Sequence, residues 1–484
     1  MRTLVWFRGK DLRIHDHLPL QDAAEFGEVI PIFVLDPYFF GVEKAKKIGH
    51  RIQFLLESLV ELSSNLHNLG SELIVIQGRS IKVIPQLAER WKVDRVVAHR
   101  WVEPFAKKRD QIVQQRLHVP LHLYEGETLA PLDCVLNSQG EPYRVYSPFA
   151  RKFLQTVTPA APHPLIRQLP PLPSDIQFDP TAIPNCRELQ ISENRNLIRG
   201  GESAAKQRLK QFLEKLLHEY EHGRNELEPI SSSQMSADLK FGLISVRSVW
   251  HLVSNSSESQ IDRERFLRQL LWREFSHYTL WHWPSVLEHS FSPKFEDFPW
   301  RTDSKVQSEL QAWKLGHTGY PIIDAAARQL LQTGFMCNRT RMISASFLCK
   351  HLRIHYRHGE DHFHRHLVDG DWAQNNFGWQ WAAGTGCDAQ SYFRIFNPVA
   401  QGRKFDPEGA YIRRYIPELA KLPNAYIHRP WKATSKVLED TGVQLGTDYP
   451  HVLVDHKNAC ATYLATARSH VGMQATVTPN GVDI

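Results

Sequence analysis

The sequence lacks the features that mark secreted and membrane-spanning proteins. Its six cysteines are scattered without a Cys-x-x-Cys pair, which argues against a zinc site and against a disulfide framework. No stretch approaches the roughly 18 to 20 apolar residues of a membrane span, and the N-terminus turns charged after a short apolar run. We therefore expect a cytoplasmic protein that is neither secreted nor inserted in a membrane.

Familiar catalytic and metal-binding motifs are also missing. The chain has no phosphate-binding G-x-x-x-x-G-K-[ST] loop, no sign of a Ser-His-Asp nucleophile and no H-E-x-x-H. The pairs His351/His355 and His362/His366 have the i, i+4 spacing of metal ligands, but the imidazoles of this run point around much of a helix. A solvated basic helix explains the run better, and we expect no metal.

Length and charge allow a large ligand and a polyanionic partner. A chain of 484 residues is too long for one core and predicts two or three, each able to enclose a sizeable ligand. The formal net charge of +6 suits the phosphates of a nucleic acid without requiring them.

Hydrophobic patterning divides the chain into four segments. Over residues 1–130, short apolar runs such as "VIPIFVLD" and "RVVAHR" alternate with amphipathic segments, which predicts a doubly wound α/β domain with a parallel, Rossmann-like sheet. Residues 131–199 form a proline-rich interdomain connector. Helical spacing over residues 200–430 predicts an all-α domain, and residues 431–484 are expected to form a helical extension and a loose tail.

Tryptophan and amide side chains concentrate in the helical domain. Eight of the 13 tryptophans lie between Trp272 and Trp381. Three helical faces combine apolar and polar side chains: Gln269, Trp272 and Arg273; Asn338, Arg341 and Met342; Trp372, Asn375 and Trp379. Any one indole is better explained as core filler. For the set, amides and charges buried beside indoles need partners, and a planar ligand with polar edges, such as a flavin, supplies them.

Other side chains suit such a ligand and a nucleic acid. Asp369 and Asp371 can pair with Arg341 or accept from ribose and ring N–H groups. Hydroxyls near a helix start suit phosphate oxygens, although a serine-rich helix cap explains this segment alone more simply: Tyr220, Ser231, Ser232, Ser233 and Ser236. Basic residues among aromatics suit a nucleic-acid backbone beside a stacking pocket, although surface arginine explains each alone equally well: Arg273, Arg339, Arg394, Arg403 and Lys404.

Several motifs in order then carry a family resemblance. They are "LVWFRGKDLRIHDHLPL", "EPYRVYSPFARKF", "QLLWREF", "HTGYPIIDAAARQLLQTGFMCNRTRMISASFL", "DGDWAQNNFGWQWAAGTGCD", "YFRIFNP" and "YIRRYIPEL". Over nearly its whole length the chain resembles the photolyase/cryptochrome flavoproteins, and its motifs are most similar to those of the cyclobutane pyrimidine dimer photolyases. The resemblance implies an α/β antenna domain followed by an all-α FAD-binding domain, with FAD as the cofactor.

The resemblance assigns the cofactor contacts residue by residue. The positions that match FAD contacts are Tyr220, Ser232, Ser233, Met235, Ser236, Gln269, Arg273, Asn338, Arg341, Asp369, Asp371 and Asn375. Arg341 and Asp369 match the pair beside the isoalloxazine, Asp371 matches a ring-edge partner, and Asn375 matches the amide that faces flavin N5. An asparagine at that position is similar to the photolyases, whereas plant cryptochromes have an aspartate.

The same resemblance assigns a lesion pocket and contacts to DNA. Trp272, Asn338, Met342 and Trp381 match positions that line the pocket for a flipped-out dimer. The (6-4) photolyases are less similar, because they carry histidines in place of Asn338 and Met342. Positions that match contacts with DNA phosphates are Arg224, Arg273, Arg339, Arg394 and Lys404. The residues implied for catalysis are Gln269, Asn338, Met342 and Asn375.

Three positions depart from the family pattern. Gln269 stands where dimer-repair enzymes usually have a glutamate, and a glutamine cannot donate a carboxyl proton. Tyr356 replaces the middle member of the usual tryptophan triad for electron transfer, which leaves Trp379 and Trp313 as its ends. Phe105 and Ala106 occupy the Asn-Glu positions of folate-binding members, which favours a deazaflavin over a folate as antenna, if a second chromophore is bound.

The resemblance implies a light-driven enzyme, a deoxyribodipyrimidine photolyase, in which reduced FAD passes an electron to a cyclobutane pyrimidine dimer in DNA. The alternative is a cryptochrome-type blue-light photoreceptor with weak or no repair activity, which Gln269 and Tyr356 favour. A third reading is an FAD-containing protein that binds single strands or RNA. We expect a monomer with pyrimidine-dimer DNA as its partner and no contact with a membrane.

Overall fold

The computed structural model describes residues 1–179, 181–228 and 230–471, and the predicted loose tail lies largely outside these residues. The chain divides into two compact units. Unit 1 comprises Met1–Glu221, Ser233–Pro284 and Val368–Ala373, and unit 2 comprises His222–Ser232, Ser285–Leu367 and the chain from Gln374 onward. The four consecutive segments expected from the sequence remain a prediction.

Unit 1 is built on a five-stranded parallel sheet, which confirms the predicted α/β class. The strands are β1 (Arg2–Phe7), β2 (Glu28–Leu35), β3 (Ile74–Gln77), β4 (Arg95–His99) and β5 (Leu121–Tyr124). Their order is β3-β2-β1-β4-β5, with Leu4 opposite Ile30 of β2 and Val96 of β4. The central strand is buried on both faces, which explains its continuous apolar run.

Twelve helices accompany the sheet in sequence order through unit 1. They are α1 (Leu18–Phe26), α2 (Pro37–Phe40), α3 (Val42–Lys47), α4 (Gly49–Asn68), α5 (Ser80–Arg90), α6 (Pro104–Arg116), α7 (Tyr146–Thr156), α8 (Glu202–Lys215), α9 (Tyr220–Gly223), α10 (Ser236–Phe241), α11 (Val246–Ser254) and α12 (Gln260–His282). The last two residues of α9 belong to unit 2.

The proline-rich stretch between α7 and α8 contains no helix or strand in its described residues, as expected. It is nevertheless attached to the α/β core. The backbone N–H of Leu169 donates to the carbonyl oxygen of Leu69 at 2.7 Å, and Leu172, Ile176 and Phe178 pack against the hydrophobic core of the sheet. The connector therefore covers the sheet instead of hanging free of it.

Unit 2 is helical, which confirms the second predicted class. Its helices are α13 (Val306–Leu315), α14 (Pro321–Thr333), α15 (Asn338–Ser346), α16 (Tyr356–His366), α17 (Trp372–Ala383), α18 (Pro398–Phe405), α19 (Ala410–Tyr415), α20 (Asn424–Ile427), α21 (Ser435–Thr441) and α22 (His456–Val471), with a π-helical turn at Phe347–His351. α14 ends as the sequence predicted, because Gly334 takes φ +63° and its N–H donates to Leu330. In the described ranges, no helix has the length and apolar content needed to cross a membrane.

Candidate functional site

A buried ion cluster in unit 1 surrounds Asp371, the predicted partner of the flavin edge. Nζ of Lys10 lies 3.0 Å from Oδ2 of Asp371 and also pairs with the carboxylates of Glu103 and Glu127. Nε2 of His277 stands 3.3 Å from Oε1 of Glu127. Burial alone would lower the pKa of Lys10, but the three carboxylates raise that pKa well above its ordinary value. Lys10 therefore stays charged and compensates the buried acids.

Arg51 holds the backbone of the same acidic segment. Its Nη1 donates to the carbonyl oxygen of Gly370 at 2.8 Å, between the buried residues Asp369 and Asp371. Sequence analysis missed Arg51 and Lys10, because both lie more than 300 positions away from the segment that they contact. Lys10 carried one usable signal, since it follows the central strand β1 at its carboxyl end, where α/β sheets gather functional side chains.

The segment predicted to contact phosphate leads into α10. Tyr220 is buried among aromatic side chains of unit 1. Ser233 and Ser236 are half-buried, and Met235 between them is buried. Ser232 belongs to unit 2 and is also half-buried. The three serines thus keep hydroxyl surface that a ligand can reach.

α12 carries three of the predicted residues. Gln269 and Trp272 are half-buried, and the Trp272 indole stacks on the ring of Tyr146 with centroids 3.6 Å apart and planes at 9°. Sequence analysis quoted the motif that contains Tyr146 but did not select this residue. Arg273 is buried, and its Nη1 donates to the carbonyl oxygen of Glu127 at 2.7 Å. The predicted contact of Arg273 with a DNA phosphate is therefore contradicted, because its guanidinium lies inside unit 1.

α15 in unit 2 begins with the predicted lesion-pocket residues. Asn338 is exposed, and its Nδ2 lies 3.6 Å from Sδ of Met342 on the next turn, so the two share a helix face as the spacing predicted. Nε of Arg341 donates to the carbonyl oxygen of Met336 at 2.8 Å. Trp381 on α17 is half-buried and packs against the hydrophobic core of unit 2.

The two adjacent asparagines of α17 have different surroundings. Nδ2 of Asn375 donates to the backbone carbonyl oxygen of Glu360 at 2.9 Å. Asn376 is buried and donates to the carboxylate of Glu360 and to the carbonyl oxygen of Val286. Asn376 therefore has a structural function. In Asn375 the amide nitrogen is engaged, so the carbonyl oxygen Oδ1 is the atom left to accept from a ligand.

Trp379 is buried in an aromatic group of unit 2. Its ring centroid lies 5.9 Å from that of Trp313 and 4.9 Å from that of Phe363, and its indole packs against the backbone of Gly359. Trp313 is only 1% exposed. An outer end of an electron path must exchange with solvent reductants, so the structure contradicts the prediction that Trp313 is such an end.

Tyr356 belongs to a second aromatic row. Its ring stacks on His355 with centroids 4.7 Å apart, and the His355 ring lies 5.4 Å from that of Trp300. Trp300 is half-buried, so this row reaches the surface of unit 2, which Trp313 does not. Sequence analysis missed Trp300, because helical spacing and composition say nothing about which indole stays accessible.

The predicted DNA contacts in unit 2 retain access to solvent. Arg394 and Lys404 are exposed, whereas Arg224 and Arg339 are half-buried. Sequence analysis missed Phe393, which exposes 63% of its surface next to Arg394. An exposed aromatic ring beside a guanidinium suits stacking on a nucleobase, and the motif "YFRIFNP" was the available signal.

The carboxyl ends of β1 and β4 form the point where strand order reverses, the usual ligand crevice of such sheets. Cζ of Arg8 lies 5.0 Å from the ring centroid of Trp6 and 5.1 Å from that of Trp101. The predicted positions for folate contacts show no carboxylate, because Phe105 packs near Trp101 and Ala106 is buried.

Three groups of described residues bring metal-ligating atoms within 4.8 Å of one another. They are Asp11, His17 and His99; Glu127, His277 and Asp371; and His351, His456 and Cys460. In the last group, Nε2 of His351 lies 2.8 Å from Nδ1 of His456, a hydrogen bond that explains the contact without an ion. The expectation that the protein holds no metal stays a prediction.

Comparison with known proteins agrees with this geometry. The family model described as "DNA photolyase" matches residues 3–168, and that described as "FAD binding domain of DNA photolyase" matches residues 266–469. A deoxyribodipyrimidine photo-lyase of Agrobacterium fabrum is 37% identical over 96% of this chain and 98% of its own. The crystal structure of a class III photolyase from Agrobacterium tumefaciens shows 36% identity and a TM-score of 0.90, covering 98% of both chains. A Synechocystis cryptochrome structure shows 31% identity and a TM-score of 0.88, over 96% of this chain and 99% of its own. The chain therefore belongs to the DNA photolyase family.

Proposed function

We propose that this protein is a blue-light-driven DNA repair enzyme, a deoxyribodipyrimidine photolyase. The observation that carries the proposal is the fixed amide of Asn375. Its nitrogen is held by the carbonyl oxygen of Glu360 at 2.9 Å, so Oδ1 is presented as an acceptor. A reduced flavin carries an N–H at its N5 position, and an acceptor that cannot rotate away stabilises that protonation state.

The residues present fit FAD in their chemistry. The residues that would hold it are those predicted: Tyr220, Ser232, Ser233, Met235, Ser236, Gln269, Arg273, Asn338, Arg341, Asp369, Asp371 and Asn375. When bound, FAD supplies light absorption and a transferable electron. Lys10 keeps Asp371 ionised in its buried cluster, so this carboxylate can accept from a ring N–H group. The serines offer hydroxyl donors to phosphate oxygens.

For the substrate, the proposal assigns the lesion pocket to the half-buried or exposed side chains at its predicted positions. Trp272 is held flat against Tyr146, so it can act as a rigid stacking wall. Asn338 presents an exposed amide beside the thioether of Met342, a pairing of polar and apolar contacts that suits a flipped-out pyrimidine dimer. Arg224, Arg339, Arg394 and Lys404 would position the DNA backbone.

A cryptochrome-type photoreceptor is the second candidate function, and two observations favour it. Gln269 offers an amide in place of a proton-donating carboxyl group. The fold is also similar to that of the Synechocystis cryptochrome, with a TM-score of 0.88. A protein of this kind would bind FAD and respond to blue light without turning over dimers.

One assay separates these functions from the third, a flavoprotein that acts on single strands. Chemically reduced protein is illuminated with dimer-containing single- and double-stranded DNA, and loss of the lesion is followed. Loss from duplex DNA supports the proposed repair enzyme. Loss from single strands alone supports the third reading, and no loss from either, with FAD bound, rejects repair in favour of the photoreceptor.

We also propose that a deazaflavin, where an antenna is bound, is favoured over a folate. Phe105 and Ala106 offer no carboxylate or amide to a pterin ring, whereas the aromatic and guanidinium groups at the carboxyl ends of β1 and β4 suit an anionic planar chromophore. The protein is further proposed to be a cytoplasmic monomer. Extraction of chromophores from the purified protein and light scattering test these points.

A further inference from the structure

Tyr356 poses a chemical problem that an indole at this position would not. A phenol that loses an electron becomes a strong acid and must hand on its proton, whereas an oxidised indole can keep its N–H. Tyr356 is 1% exposed and its hydroxyl is buried. Burial raises the pKa of Tyr356, so the phenol is neutral before oxidation. A proton released there needs an acceptor within the protein.

A serine and a carboxylate lie in position to take this proton. The Ser290 side chain lies beside the Tyr356 hydroxyl as a hydrogen-bonding neighbour. The backbone N–H of Ser290 donates to Oε2 of Glu296 at 2.8 Å, which brings that carboxylate next to the same serine. Oε1 of Glu296 is 2.6 Å from Nδ1 of His289. Because His289 and Glu296 are both exposed, the row runs from a buried phenol to solvent.

Other groups near Tyr356 are poorer acceptors. Arg357 lies over the ring with Cζ 5.5 Å from its centroid, and its positive charge opposes a proton on that side. The carboxylate of Glu360 is buried and accepts from Asn376 at 2.9 Å, so a proton placed there has no route to water. Nδ1 of His355 already accepts from the backbone N–H of Arg357 at 3.1 Å.

We propose that Ser290 and Glu296 form an exit path for the phenolic proton of Tyr356 when light oxidises this residue. The inference rests on the proposed function, since the oxidant is the photoexcited oxidised flavin. One electron leaves Tyr356 through the indole of Trp379 and reduces the flavin. The phenolic O–H bond breaks, its proton goes to Oγ of Ser290, and the serine proton goes to the carboxylate of Glu296. A neutral tyrosyl radical remains until an added thiol returns a hydrogen atom.

The test uses the FAD-loaded protein, oxidised, under blue light with a thiol present. The rate of flavin reduction is measured in H₂O and D₂O, and the tyrosyl radical is followed by electron paramagnetic resonance. Ser290→Ala and Glu296→Gln should each slow reduction by about tenfold and lower the radical signal. Ser308→Ala is the matched control, because the Ser308 hydroxyl is exposed and bonds within its own helix to Lys305.

A second background keeps the proposal falsifiable. In a Tyr356→Trp variant no phenolic proton is released, so adding Ser290→Ala should leave the rate unchanged. Equal rates for Ser290→Ala and the parent protein, or an equal loss in the tryptophan background, overturn the exit path. Dimer repair by chemically reduced Ser290→Ala should match that of the parent, because repair then needs no photoreduction. Failure of that repair in the parent protein instead overturns the proposed function.

Discussion

The packing of α16 against Trp379 predicts opposite effects for two glycine substitutions. A Cβ added at Gly359 would lie 2.6 Å from Cζ2 of Trp379 and closer to the outer ring atoms, whereas a Cβ at Gly378 meets nothing within 4 Å. Both glycines lie within helices. Gly359→Ala therefore tests whether the indole is held in place, and Gly378→Ala is its matched control.

The magnitudes follow from the same contacts. Alanine stabilises a helix interior over glycine by about 1 kcal/mol, and Gly378→Ala should gain about that amount. At Gly359 the same gain is opposed by overpacking, which costs about 1 to 3 kcal/mol. The upper value applies here, because Trp379 is 2% exposed and confined by Trp313 and Phe363. Gly359→Ala should thus lose about 2 kcal/mol, a difference of about 3 kcal/mol between the variants.

Denaturant unfolding monitored by tryptophan fluorescence measures both changes. The rate of flavin photoreduction in the loaded protein gives an independent reading, since a displaced Trp379 should slow it in Gly359→Ala alone. A Gly359→Ala protein as stable as the parent, with an unchanged photoreduction rate, would refute the packing and the place of Trp379 in the electron path.

Three further predictions concern single side chains. Gln269→Glu should raise dimer turnover by about tenfold, the rate equivalent of one charge-assisted hydrogen bond; an unchanged or lower rate counts against a limiting carboxyl group. Lys10→Met leaves Asp371 and its neighbouring carboxylates uncompensated, so it should cost about 3 to 5 kcal/mol of stability and weaken FAD retention, measured as flavin content after gel filtration. Burial raises the pKa of Glu274 to about 7 from its ordinary 4.5, so its contribution to stability is complete below pH 4.5 and is lost as pH rises to 7. Glu274→Gln should therefore remove a loss on the order of 3 kcal/mol between those pH values, and unfolding curves with the same pH dependence as the parent would contradict this.

The sequence predicted what depends on local pattern. The five apolar runs became the five strands, because a buried parallel strand needs apolar residues on both faces. Gly334 ended its helix and Asn338 met Met342 on one face, because both follow from helical geometry over one turn. The FAD contacts and lesion pocket, in contrast, came from the family resemblance.

What depends on long-range packing could not be predicted. Helical spacing placed Arg273 on a polar face but could not show that this face is buried against Glu127. Trp313 and Trp300 have the same indole, and only tertiary structure shows which one reaches the surface. Lys10 was found only through its contact with Asp371, since no pattern in one sequence joins positions so far apart.

The wavelength dependence of repair tests the central claim most directly. Purified, chemically reduced protein is incubated with dimer-containing duplex DNA, and lesion loss per absorbed photon is measured across the near-ultraviolet and blue, beside a sample kept in the dark. The proposed function predicts repair that follows the absorption of the bound chromophores and ceases in the dark. Equal lesion loss in light and dark, or none at any wavelength with reduced FAD bound, would contradict it.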